Sequence, residues 1–205
     1  MTKDKTLKWV SSITFNVIIV LIIFSFSNCK TEEPEKENVE EAITKITVHF
    51  TPVPGGSTIT VNAIDPDGDG PQDMETDGTV YLEYNVEYDL EIEFSNPLVT
   101  PPVDITEEIR AEGDEHMIFF GWTTGLFFSP SNGDINTNRD NVRYQDEDNN
   151  GLPIGLETRW TTANQEMAGD LRVVLKHQPA LKTASSTVST GATDADVTFD
   201  VIIAK

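Results

Sequence analysis

The sequence predicts an all-β domain: a two-layer antiparallel β-sandwich of immunoglobulin-like architecture, with a small β-barrel as the alternative closure. Three observations lead there. Apolar residues recur mainly with period two, turn clusters separate the runs at short intervals, and only one short stretch has helical spacing.

The clearest strand covers residues 87–94. Tyr88, Leu90, Ile92 and Phe94 face one way, and Glu87, Asp89, Glu91 and Glu93 the other, which is the signature of a half-buried strand. Similar runs cover 45–50, 58–64, 79–84, 117–122, 156–162, 171–177 and 197–203. Pro54-Gly55-Gly56, Ser131-Asn132-Gly133-Asp134 and Asn149-Asn150-Gly151 supply turns between them. Residues 104–111 read as the one helix, with Thr106 as its cap and Glu107 and Glu108 in its first turn. The Ser/Thr-rich stretch 182–195 reads as an exposed loop before the last strand. Trp122 and Trp160 could stack on sugar rings, but rings of that size in such strands are expected in the core.

The N-terminus follows a different rule. Lys3, Lys5 and Lys8 precede a 14-residue apolar run, residues 13–26, which is the layout of a signal peptide and too short for a comfortable membrane span. The run ends in Phe26-Ser27-Asn28-Cys29, which resembles a relaxed lipobox like those of Bacteroidota, with Phe26 for the usual Leu and Asn28 for the usual Gly, Ala or Ser. Lys30-Thr31-Glu32-Glu33 is similar to the short signals that send such lipoproteins to the outer face of the outer membrane. The expected organisation is a signal peptide over 1–28, a lipidated Cys29 with a polar tether to residue 42, and an acidic β-domain over 43–205. Each buried acyl methylene contributes about 0.8 kcal/mol, so the acyl chains would anchor the protein to the membrane without a spanning helix.

The formal net charge is -21, and beyond residue 28 there remain 11 basic against 34 acidic residues. Such a surface repels phosphate backbones, excludes nucleic acid as a partner, and attracts cations. The single cysteine excludes an intramolecular disulfide and cysteine-based zinc motifs. No GxSxG, cysteine nucleophile site or phosphate-cradling glycine loop is present, and paired carboxylates in so acidic a chain select nothing, so an enzyme is not expected.

Two aspartate-rich loops point to calcium. Residues 146–157 satisfy D-x-[DN]-x-[DN]-G-x5-E in full: Asp146, Asp148 and Asn150 offer side-chain oxygens, Leu152 its carbonyl, and Glu157 closes the shell. The flanks are loop and strand rather than paired helices, and Pro153 replaces the β-branched residue of an EF-hand. Asp65-Pro66-Asp67-Gly68-Asp69-Gly70 repeats the first half, with Asp65, Asp67 and Asp69 as ligands; it resembles the calcium loops of dockerins and thrombospondin type 3 repeats. Of the three histidines, His116 and His177 end strand runs, and with Glu115 or Asp114 they could form a transition-metal site if their strands adjoin.

The segments Leu90-Glu91-Ile92-Glu93-Phe94-Ser95-Asn96, Asp104-Ile105-Thr106-Glu107-Glu108-Ile109 with Asp114-Glu115-His116, and Asn150-Gly151-Leu152-Pro153-Ile154-Gly155-Leu156 resemble a family of short acidic Bacteroidota outer-membrane lipoproteins of unknown function. The resemblance runs from Ile43 to the end. Members are often labelled type 1 periplasmic binding fold proteins; that label implies alternating β and α in a chain nearly twice as long, against the strand pattern here. The resemblance implies an envelope location and a sandwich-like domain, with no established ligand. Two functions are expected to compete: a surface or periplasmic binding or accessory module linked to an outer-membrane receptor and a small ligand or metal, and a structural or adhesive envelope protein whose calcium loops only stiffen it.

Overall fold

A computed structural model describes residues 42–66, 68 and 74–205. The expected signal peptide, Cys29, and Asp67 and Asp69 of the first aspartate loop lie outside the described residues.

Each of the eight period-two runs is a strand: β1 (Lys45–Val53), β2 (Ile59–Ile64), β4 (Val80–Glu83), β5 (Glu87–Asn96), β7 (His116–Trp122), β10 (Glu157–Thr162), β11 (Met167–His177) and β12 (Ala192–Ala204). Short strands β3 (Glu75–Thr76), β6 (Val103–Asp104), β8 (Phe127–Ser129) and β9 (Arg143–Tyr144) fill the margins; two or three residues are too few to show a period in sequence. One sheet has the order β3-β2-β1-β5-β10-β8, with β6 beside β5 and β9 beside β10; the other has the order β4-β12-β11-β7. The two pack face to face, and one curls strongly into a half-barrel. The pairing departs from the expected antiparallel scheme once. β12 runs parallel to β4, Val201 opposite Val80, which is sterically free because nearly the whole domain connects them.

The alternation puts Ile46, Val48 and Phe50 of β1 and Tyr88, Leu90, Ile92 and Phe94 of β5 into one core with Ile118 and Phe120 of β7, Leu171, Val173 and Leu175 of β11 and Val197, Phe199 and Val201 of β12. Trp160 joins the layers. It is fully buried in the first sheet, with ring centroids 5.4 Å from Phe120 and 4.9 Å from Trp122 of the second and 4.7 Å from Phe127. Its indole N–H donates to Thr158 Oγ1 at 2.7 Å, so no polar group is stranded. Both tryptophans that could have faced a sugar are core residues.

β7 lies at a sheet edge, yet every residue in it is buried. The chain that follows covers it: Asn138 Nδ2 donates to the Phe120 carbonyl at 2.8 Å, the Tyr144 hydroxyl to the Ile118 carbonyl at 2.9 Å, and the Trp122 N–H to the Gly133 carbonyl at 3.0 Å. On the outer face of β5, Arg159 holds Asp89 through contacts of 2.6 and 3.0 Å and stands 3.4 Å from Glu87. Glu91 and Glu93 face solvent, as the sequence predicts.

Two expectations are corrected. The helix α1 spans Thr106–Ala111 and is capped by Ile105 without a side-chain hydrogen bond. Thr106 instead bonds β5, accepting from the Phe94 N–H at 2.9 Å and donating to its carbonyl at 3.1 Å, because the buried edge of β5 needs those partners more than a solvated helix end does. The stretch 182–195 is not all exposed loop: β12 begins at Ala192, and Asp194 and Ala195 are buried.

Replacing Trp160 with Ala should lower unfolding free energy by about 3–5 kcal/mol, since two aromatic contacts across the sandwich and one within its own sheet are lost and a cavity remains. Urea unfolding monitored by far-UV circular dichroism checks this; a loss near zero would mean that Trp160 does not join the layers.

Candidate metal centre

β7 and β11 adjoin, and their register places His116 directly opposite His177. The two histidines end the inward-facing rows that carry Ile118 and Phe120 on one strand and Val173 and Leu175 on the other. Their rings stack with centroids 4.6 Å apart and planes within 6°.

The third member comes from β12 and owes its position to an irregularity. Leu175 pairs with Ala195 but Lys176 pairs with Thr193, so Asp194 is an extra residue in a β-bulge. Strict alternation with inward Ala195 and Val197 would send Asp194 outward. The bulge turns it back, and Asp194 Oδ2 stands 3.8 Å from His116 Nε2, with both side chains at most 5% exposed. Gly191 makes the approach possible: at φ +76°, any Cβ there would stand 2.1 Å from the His177 carbonyl oxygen.

Hydrogen bonds fix the tautomers. His116 Nδ1 faces the Glu112 carbonyl at 3.2 Å; a carbonyl only accepts, so Nδ1 carries the proton and Nε2 turns its lone pair toward Asp194. His177 Nε2 faces the Glu115 carboxylate at 3.4 Å and donates to it, which leaves Nδ1 as the lone-pair nitrogen. Metal-bound histidines are held in this way, the far nitrogen donating to a carbonyl or carboxylate. Burial pushes the pKa of His116 down to about 4, His177 and Lys182 adding to the effect and Glu115 and Asp114 opposing it. The ring is therefore neutral at pH 7, and no proton has to leave before a cation arrives.

Among the described residues, His116, His177 and Asp194 are the one group of three or more such side chains whose ligand atoms all lie within 4.8 Å of one another. A tetrahedral zinc site with bonds of 2.0–2.1 Å needs ligand atoms roughly 3.4 Å apart, so modest side-chain rotation closes it. Two imidazoles and one carboxylate are a borderline donor set suited to Zn²⁺, Cu²⁺ or Ni²⁺. Glu115, expected as a ligand, serves as the partner of His177, and Asp194 is the carboxylate of the cluster.

Comparison with known protein families, curated proteins and solved structures finds no match. The centre is therefore read from its geometry.

Most of the described residues expected to hold calcium have partners within the protein. Asp146 accepts from the amides of Gly155, Leu156 and Glu157 at 2.8, 2.8 and 3.3 Å. Asp148 Oδ1 accepts from the amides of Asn150 and Leu152, and its Oδ2 stands 3.0 Å from Lys182 Nζ. The Leu152 carbonyl takes the Asp148 N–H at 2.8 Å, the Asn150 side chain is exposed, and Glu157 pairs with Arg110 at 3.2 Å. Of the first loop, Asp65 is buried and accepts from the Gly68 N–H at 3.0 Å. His49 lies on β1, against Thr60 and Glu93, outside the cluster.

In the metal-free protein, His116 titrates near 4 when folded and near 6.5 when unfolded, so between those values the unfolded chain holds the extra proton. The stability this supplies is complete above pH 6.5 and disappears as the pH falls to about 4, a loss of about 3 kcal/mol. Thermal melts in chelator should show H116Q with a flatter profile than wild type over that window; equal slopes would exclude His116 as the cause.

Proposed function

We propose that the protein is an exported, lipid-anchored envelope module that binds a transition-metal dication at His116, His177 and Asp194. The observation that carries this is the β12 bulge, which turns a carboxylate inward to meet two oriented imidazoles on adjoining strands. A sandwich that needed only a packed core would end those inward rows on apolar residues. Two imidazoles and a carboxylate at one end of the core supply a donor set that suits a borderline dication.

Zn²⁺ suits the set best, with Cu²⁺ and Ni²⁺ as competitors of equal or higher intrinsic affinity. His177 is the least buried of the three, its side chain 12% exposed beside the partly exposed Glu115, so an incoming ion would approach from that side. The acidic surface raises the local concentration of dications. The signal segment and Cys29 support placement at the outer membrane, where a metal-binding module could serve an uptake receptor.

Titration calorimetry of chelator-treated protein with Zn²⁺ should show one ion per chain. H177A and D194A should each weaken binding ~100-fold or more, since each removes a ligand where even an outer hydrogen-bond partner is worth about 10–100-fold. Equal affinity in wild type and D194A would sink the assignment. Labelled palmitate should mark the wild-type protein in cells and leave C29A unmarked; unlabelled wild type would remove the anchor.

A further inference from the structure

The loop whose spacing fits calcium already holds a positive charge. Lys182, in the segment between β11 and β12, reaches Asp148 Oδ2 at 3.0 Å and donates to the Gly113 carbonyl at 2.6 Å. The side chains of Lys182 and Asp148 are each 1% exposed. Burial works against the Asp148 carboxylate, but the Leu152 amide, the ammonium and the Asn150 amide hold its pKa below the ordinary value. Glu157, which would close a calcium shell, has its own cation in Arg110.

We infer that Lys182 supplies the cation of the 146–157 loop from within the chain, and that through Gly113 it fixes the turn beside the metal centre. The chemistry is substitution in kind. A calcium loop gathers carboxylate and carbonyl oxygens around a central positive charge; here a carboxylate oxygen and a main-chain carbonyl gather around an ammonium. Asp146, Oδ1 of Asp148 and the Leu152 carbonyl, which the pattern also directs inward, accept from amides of the loop itself. A calcium ion entering beside Asp148 would meet Lys182 at close range and be repelled.

The Gly113 contact gives this ammonium a second consequence. The turn 112–115 joins α1 to β7 and carries the outer hydrogen bonds of both histidines: the Glu112 carbonyl receives His116 Nδ1, and the Glu115 carboxylate receives His177 Nε2. Gln178 ties the same turn from the other side, its N–H donating to the Glu115 carbonyl at 2.6 Å. Lys182 is thus a positioning residue for the centre, acting through the main chain; this half rests on the metal reading, and the calcium half does not.

The test uses the full-length protein in millimolar calcium or a calcium-selective chelator. Wild type should melt at the same temperature in both, and a calcium-induced rise overturns the inference. K182M leaves Asp148 buried without its cation and should melt roughly 10 °C lower, with calcium restoring part of the loss; no calcium response in K182M also overturns it. D148N/K182M removes both charges and should melt above K182M without responding to calcium; melting at or below K182M counts against the inference. K182M should bind Zn²⁺ about 10-fold more weakly, as loss of an outer partner does, and unchanged affinity removes the positioning role. If K182M does not fold, the wild-type calcium arm and the Zn²⁺ affinity of D148N/K182M decide. Wild type that binds no Zn²⁺ refutes the metal reading and leaves the calcium arms to judge Lys182.

Discussion

The structure depends on the apolar contact between its two sheets. Neither sheet is stable with its inner face in water, and with a single cysteine no disulfide can substitute for that burial. Trp160 sits at the centre of the contact, reaching rings of the opposing sheet while its one polar atom is satisfied within its own strand. Once the sheets are closed in this way, the positions at the ends of the inward rows are determined. His116 and His177 occupy two such ends, so the core that stabilises the sandwich also sets the spacing of the imidazoles.

The strands were legible because burial on one face imposes a period of two, and residues 87–94 show it without interruption. Tryptophan burial followed from the same pattern. The proximity of His116 and His177 could be framed only conditionally, since nothing local states which strands adjoin; the topology supplies the answer. Asp194 was illegible for a sharper reason. A bulge inserts one residue and breaks the parity on which inward and outward are assigned, and the Ser/Thr-rich run before it reads as loop. The calcium pattern shows the reverse limit. Spacing along a chain fixes which oxygens could converge, whereas the charge that reaches them can come from a lysine 34 positions beyond Asp148.

The acid excess has two fates. On the outer face of β5 the carboxylates stay hydrated or take an arginine at the surface, where such pairs add little to stability. In the interior, Asp146, Asp148 and Asp194 are each held by something specific: amides for the first, amides and an ammonium for the second, and the histidine cluster for the third. Net charge governs the long-range field and hence what approaches; the few buried acids define local structure.

The placement of β12 bears on the order in which the domain can assemble. It follows every other described strand in the chain, yet it lies between β4 and β11 and forms the middle of its sheet. Until that stretch is available, β4 has no neighbour in its own sheet and β11 has only β7. Vectorial synthesis therefore yields an unfinished sandwich at every intermediate length, and closure waits on contacts far apart in sequence, a topology associated with slow folding. A polypeptide that stays open until its late segments emerge remains threadable, the condition a translocation channel demands of its cargo.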